Sequence, residues 1–204
     1  MKTFSMPFNS VRAALLLAMC LMASSAHAAV DAFIWFESVL PALPIEGETM
    51  DEVFKSKKAF KINDFSFGVD SPTTLGSATG GAGAGKIKFN EFTIRKTTDK
   101  ASPAFFKNCA VGAHYEKAFI AIRRAGGDAR ANFLFFEFDT VFTTKINWSG
   151  PGDVGPEESI TFVFAKFGLT YFPQKADGTL DSPVSQGWDQ IQSVNFLPDT
   201  NPLN

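Results

Sequence analysis

The sequence predicts a mostly β protein whose strands bend into a compact barrel of packed antiparallel sheets, with one short helix set against it. Three observations carry the prediction. Phenylalanine occurs 23 times, and most copies fall in short alternating runs, the period of a strand with a buried face. Three of those runs change phase midway. Only the segment from Ser102 to Gly112 carries the start and stop signals of a helix.

Residues 1–28 stand apart from the fold. Lys2 and Arg12 precede an apolar run from Ala13 to Met22, and Ala26-His27-Ala28 offers a small-residue cleavage site before Ala29, the pattern of a secretory signal peptide. The apolar run is about half of the roughly 20 residues that cross a bilayer. Removing the leader takes away two positive charges, so the formal net charge moves from -2 to about -4. Nucleic acid is therefore a poor partner. What remains, 204 less 28 residues, fits one domain. Cys109 is its only cysteine, so no intramolecular disulfide forms, and its helical position predicts an inert buried thiol.

Candidate strands follow in order: Ala32 to Ser38, Phe60 to Val69, Lys86 to Lys96, Ala118 to Arg124, Phe133 to Thr144, Ile160 to Phe172 and Gly187 to Val194. Most joining segments carry Gly, Pro, Asp or Ser. In the second strand Phe60 and Ile62 hold one parity, then Phe65, Phe67 and Val69 the other. Ile87 and Phe89 likewise give way to Phe92 and Ile94, and Ile160, Phe162 and Phe164 to Phe167, Leu169 and Tyr171. A slip of one residue sends every side chain to the opposite face, so each flip marks a bulge or a change of sheet, and strands that bend this way can close a small barrel. Phe133 to Phe138 is nearly continuous in apolar residues, which predicts a central strand covered on both faces, partly by the helix.

Helix signals are specific. Ser102 can accept a hydrogen bond from a first-turn amide, Pro103 suits the first helical position, and Gly112 can adopt the left-handed conformation that ends a helix. Phe105, Phe106, Cys109 and Ala110 then share one apolar face, which needs a sheet to cover it. One low-complexity stretch, Gly76 to Gly85, joins two strands; a glycine-rich loop of this length is mobile alone or held by a partner.

No cofactor, metal or catalytic set is expected. Gly80 to Lys86 matches the first seven positions of a phosphate-binding loop, but Ile87 replaces the hydroxyl that holds magnesium, and a strand follows instead of a helix. His114 is the single histidine outside the leader, so a histidine-rich metal site cannot be assembled; its place after a helix end suits capping or a dipole contact. Glu46, Glu48, Asp51 and Glu52, and again Glu157 and Glu158, read as solvated turns without calcium-loop spacing. Glu137 and Asp139 share a strand face and are the nearest approach to an acid/base pair, although a solvent or interface face suits them better. Trp148 and Trp188, beside glycine-containing turns, read as packing anchors.

The motif order resembles one family. Ile45-Glu46-Gly47-Glu48-Thr49, Phe65-Ser66-Phe67-Gly68, the glycine run ending in Gly85-Lys86, the capped helix with Gly112-Ala113-His114-Tyr115, Glu158-Ser159-Ile160-Thr161-Phe162, Tyr171-Phe172-Pro173-Gln174 and Gly187-Trp188-Asp189 together are similar to the Hcp family, the ring-forming tube proteins of bacterial type VI secretion. Each motif is weak alone, but they share order and spacing from Ala32 to about Val194. The resemblance implies a non-enzymatic subunit: a two-sheet β-barrel with one helix, six copies forming a ring around a channel. Rings would stack into a tube with a spike protein at its tip, a contractile sheath around it and some effectors carried inside. It also implies that the ring-stacking loop is Asp70 to Gly85, with Ser71, Pro72, Thr73, Thr74, Gly80, Gly81, Gly83 and Gly85 as its residues.

Two features depart from the family pattern. Typical members assemble in the cytoplasm without a leader, whereas this chain opens on a signal peptide that implies export to the periplasm or beyond. Val39 to Pro44 is an added or altered stretch. The alternative function is an exported monomeric or oligomeric β-barrel binding module that has left the secretion machine.

Overall fold

The computed structural model describes residues 29–74, 83 and 84, 86–125, 131–152 and 155–203. The leader therefore lies outside the described residues, as do Gly80, Gly81 and Gly85. Among the described residues, thirteen strands and one α-helix run in the order β1 (Ala29–Ser38), β2 (Phe60–Ile62), β3 (Asp64–Ser66), β4 (Val69–Asp70), β5 (Thr73–Thr74), β6 (Gly83–Ala84), β7 (Lys88–Phe89), β8 (Phe92–Thr97), α1 (Ser102–Val111), β9 (His114–Ala125), β10 (Asn132–Gly152), β11 (Gly155–Tyr171), β12 (Val184–Asp189) and β13 (Val194–Phe196).

Nine of these strands form one antiparallel sheet in the order β13-β12-β11-β10-β9-β1-β2, with β8 paired to β11 and β3 paired to β8. The expected packed antiparallel architecture with one short helix is present, its main layers joined by hydrogen bonds into one curled sheet. It does not close by a ladder. Of its three terminal strands, β2, β3 and β13, the first two are consecutive pieces of one bent segment, so that circuit is completed through the chain at Asn63.

Each phase flip falls where a strand changes partner. At Asn63, whose N–H donates to the Arg95 carbonyl at 2.8 Å, the chain leaves β1 for β8. At Asn90, whose N–H donates to the Gly68 carbonyl at 2.9 Å, it leaves the small β4–β7 ribbon and enters β8 in the main sheet. Along β11 the partner on one edge is β8 as far as Phe162 and β12 from Lys166 onward. Gln190 fills the gap between them: its backbone N–H donates to the Ala165 carbonyl at 3.1 Å, its side-chain amide donates to the Phe164 carbonyl at 2.7 Å, and its amide oxygen accepts from the Phe89 N–H at 3.2 Å. After that flip Phe167, Leu169 and Tyr171 share one face, across from Phe138, Phe136 and Leu134, as the parity predicts, with Phe167 packed on the core and Leu169 and Tyr171 exposed farther along the strand.

Inside the curl lies the main core, including Phe36, Phe60, Phe92, Phe105, Tyr115, Phe138 and Phe162. Phe92 and Phe138 stack at 4.5 Å between ring centroids. Burying each such side chain contributes about 1.5–3 kcal/mol. β10 is central, as its apolar run predicts, but the helix does not cover its outer face. Instead α1 plugs the curl, with the fully buried Phe105 ring edge-on to Phe36 at 5.2 Å and Phe60 at 5.9 Å.

The helix itself corrects three expectations. Gly112 ends it with φ 64, and Pro103 lies in its first turn, but Ser102 does not cap a first-turn amide. No side chain caps this helix; Asp99 shapes the turn before it, accepting from the Ala101 N–H at 2.8 Å, while the Ser102 hydroxyl accepts from the Asp99 N–H at 3.0 Å. The buried face is Ser102, Phe105 and Asn108; Phe106 and Ala110 are exposed and Cys109 is half-buried. Asn108 replaces the expected apolar contact with hydrogen bonds to both backbone groups of Leu43 and to the Tyr115 hydroxyl.

Candidate functional site

Two surfaces are built by this fold, a ribbon beside the sheet and the sheet's outer face. In the ribbon, Val69 pairs with Phe89 and Asp70 with Lys88, and farther out Thr73 pairs with Ala84 and Thr74 with Gly83. Ser71 and Pro72 are exposed between the two short ladders. The stretch that mimics a phosphate-binding loop therefore leads into paired strands, and no helix N-terminus follows it to face a phosphate.

Rows of side chains cross the outer face in register. The first is aromatic. Phe33, Trp35, Phe119 and Phe135 form a second apolar cluster with Phe54, and Phe172 and Leu203 pack against it. Phe33 and Phe54 stack at 4.3 Å, Trp35 and Phe119 at 5.2 Å. The turn carrying Phe54 is clamped from outside, because Arg123 lies 4.9 Å from the Phe33 ring centre and donates to Asp51 at 2.6 Å. That hydrogen bond holds the Asp51 carboxyl below its usual value. Asp51 is thus a structural clamp, where the sequence predicts a solvated turn. Nearby Glu46 pairs with Lys58 and with Lys100, and those two ammonium groups lower its pKa to about 2.

A second row alternates in charge across five strands: Glu37 on β1 opposes Lys117 on β9, Lys117 opposes Asp139 on β10, Asp139 opposes Lys166 on β11, and Lys166 opposes Asp189 on β12. Glu137 sits one row away, almost fully buried, and accepts from Lys117 at 2.6 Å and from the Asp199 N–H at 2.6 Å. Burial pushes the Asp139 carboxyl up to about 6, with Lys117 opposing and the neighbouring Glu137 carboxylate adding to the rise. The Lys117 ammonium is lowered by burial, but Glu137 and Asp139 more than offset this and raise it overall. Glu137 and Asp139 are therefore neither a solvated face nor an acid/base pair in a described cleft.

The C-terminal residues run across these rows as a strap. Gly168 and Gly187 oppose one another in β11 and β12, and a Cβ at either would overlap Pro198 or Phe196. This explains the glycine of Gly187-Trp188-Asp189: it makes room for the strap, while Trp188 packs on the core and Asp189 accepts from the Ile191 and Gln192 amides to turn the chain. Gly47 of the Ile45 to Thr49 motif has the same kind of cause, since its Cβ would strike the Ala59 carbonyl.

Behind the sheet, Glu158 is no solvated turn either. Lys96 and Glu158 form a buried pair at 2.7 Å, completed by Asp99 at 2.5 Å from the same ammonium and by the Ser102 hydroxyl, which donates to Glu158 at 2.6 Å. The other Glu158 oxygen accepts from the Trp148 indole at 2.9 Å, and the half-exposed Trp148 ring lies 6.3 Å from exposed Phe106. His114 packs on Phe142 at 5.3 Å, so its role is a cross-strand ring contact and not a cap. Among the described residues, no group of histidine, cysteine and acidic side chains could hold a metal ion, and no helix is long and apolar enough to cross a membrane.

A curled antiparallel sheet plugged by one helix, with its constructed surfaces facing outward, defines a β structural domain. Comparison with known proteins gives the family. The family model for the type VI secretion system effector Hcp matches residues 33–171, more than half of the sequence, and the chain belongs to the Hcp family. Protein hcp1 of Pseudomonas aeruginosa is 33% identical over 111 residues, 53% of this chain and 68% of that protein. Among solved structures, a type six secretion system protein superposes with a TM-score of 0.72 at 24% identity over 82% of this chain and 100% of that one. Hcp1 from Salmonella typhimurium gives 0.64 at 22% identity over 82% and 99%. At such identities the superpositions speak to the fold.

Proposed function

We propose that this chain is a non-enzymatic ring subunit of a type VI secretion tube, assembling as a homohexamer whose rings stack through the ribbon from Asp70 to Gly85. The single observation that carries this reading is the ribbon itself. Among the described residues β4 and β7 anchor the ribbon to the sheet through Phe89, whereas β5 and β6 pair with each other and with no strand of the nine-stranded sheet, which leaves that outer ladder available to order against the next ring. Ser71, Pro72, Thr73, Thr74, Gly80, Gly81, Gly83 and Gly85 are its contact residues. The spike protein, the contractile sheath and carried effectors are the further partners of such a tube. The signal peptide directs the chain to the periplasm or beyond, the alternative route being cytoplasmic assembly and release through the machine itself.

Deleting Thr73 to Gly83 is expected to leave a folded protein that sediments as a hexamer and shows no stacked tubes by electron microscopy. Tubes unchanged by the deletion remove the ribbon from stacking. A wild-type chain that sediments as a monomer at high concentration removes the ring and favours the exported binding module.

A further inference from the structure

Asp139 lies between the two side chains that hold the strap. Glu137, on its own strand, accepts from the Asp199 N–H at 2.6 Å. Lys166, opposite on β11, has its ammonium 4.0 Å from Asp139 and 5.4 Å from the centre of the Phe196 ring, at the start of the strap. Strap contacts beyond these are apolar: Pro198 over Gly168, and Leu203 on the aromatic cluster of Phe33, Trp35, Phe119 and Phe135.

Charge is out of balance at this spot. The groups facing Asp139 are Lys117 from β9, Glu137 from β10, Lys166 from β11 and, beyond that lysine, Asp189 from β12; Glu37 from β1 faces Lys117 from its other side. With every group ionised, four carboxylates share two ammonium groups. One oxygen of Asp139 is also buried without a hydrogen-bond partner, which a carboxylate tolerates poorly and a shared proton cures.

We propose that Glu137 and Asp139 form a proton-controlled latch, which locks residues 197–203 over the outer aromatic face in acid and loosens them at neutral pH. With a proton, Asp139 donates to Glu137, and the Glu137 carboxylate is held in place to accept from Asp199. Without it, the two carboxylates repel. Asp139 then draws on Lys117 and Lys166, which otherwise serve Glu137 and Phe196, and the strap opens more often. The position of the Asp139 pKa near 6 puts this change between neutral and mildly acidic conditions. An open strap withdraws Leu203 from the outer aromatic cluster, which is buried in the closed state.

Hydrogen exchange of the full chain tests this at about pH 5 and about pH 8, each corrected for the intrinsic exchange rate. The Asp199 amide is expected to be protected about tenfold or more in acid relative to neutral conditions, while the Ile120 amide in β9 reports global opening. In Asp139→Asn, whose amide donates to Glu137 at any pH, Asp199 protection is expected to be high at both. Equal wild-type protection at the two pH values would overturn the latch. So would a change shared in full by Ile120, or a pH dependence kept by Asp139→Asn.

Discussion

Phe138 and Phe135 stand three residues apart on β10, on opposite faces, in surroundings that differ in kind. Phe138 is fully buried among the rings of Phe92, Phe164 and Phe167, which come from two other strands of the curled sheet. Phe135 is nearly as buried, yet its cover is a late addition: Phe172 edge-on at 6.0 Å, with the Phe54 turn and the strap sealing the rest of its cluster. The inner face is closed by the sheet itself and by the helix that plugs it. The outer face is closed by two irregular segments held by ion pairs and single hydrogen bonds, and such segments are the first to open. One face holds the domain together; the other leaves a surface that can be changed without unfolding it.

The sharpest way to break the inner side is to take a partner from its buried charge. Glu158→Ala leaves the buried Lys96 ammonium with Asp99 as its remaining ion-pair partner and is expected to cost about 3–5 kcal/mol in chemical denaturation, whereas the double change Lys96→Met with Glu158→Leu should recover most of it. Recovery that fails would mean the pair positions Trp148 and Ser102 as well as neutralising charge. Next in size is the direct comparison. Phe138→Ala should destabilise by about 3–5 kcal/mol, and Phe135→Ala by about 2 kcal/mol, because irregular segments can settle into the space that a sheet cannot. Equal losses would show the outer cover to be as rigid as the core.

The smallest effect is the pH profile. The Asp139 pKa is raised in the folded chain from 3.8 to about 6, so its contribution is complete below about pH 4 and is lost as pH rises through about 6. Glu46 and Asp51 act oppositely: their folded pKa values are lowered, and their contributions disappear in acid. Thermal melts should therefore show greatest stability near pH 5, with a fall of about 1 kcal/mol toward pH 7.5 after allowance for solvent screening. Asp139→Asn should flatten that fall. A profile that still falls in the variant would move the effect to another group.

The helix shows what a sequence leaves out. Pro103 and Gly112 act at the positions their backbone chemistry suits, but Ser102 does not cap the helix: its hydroxyl accepts from the preceding Asp99 N–H and donates to Glu158, because the buried Lys96–Glu158 pair lies against it. Phe106 reads as core by spacing and is exposed, because the plug position buries the narrow face of Ser102, Phe105 and Asn108. Similarly, Glu158 and Asp51 look like ordinary surface acids in a one-dimensional reading. Their partners, Lys96 and Arg123, are more than sixty residues away along the chain, and no local pattern pairs them.

Alternation of phenylalanine, the three changes of phase, the helix stop at Gly112 and the ordered family motifs were all determined by the sequence, because each reports a local preference of backbone or burial that neighbours in the chain decide. Tertiary structure alone decided that the curl is one sheet joined through Asn63, that a lysine and a glutamate sit inside it, and that the strap lays Leu203 on the outer aromatic cluster and brings Asp199 to Glu137. These depend on which distant segments meet, and a free energy of contact between remote residues leaves no period in the sequence to read.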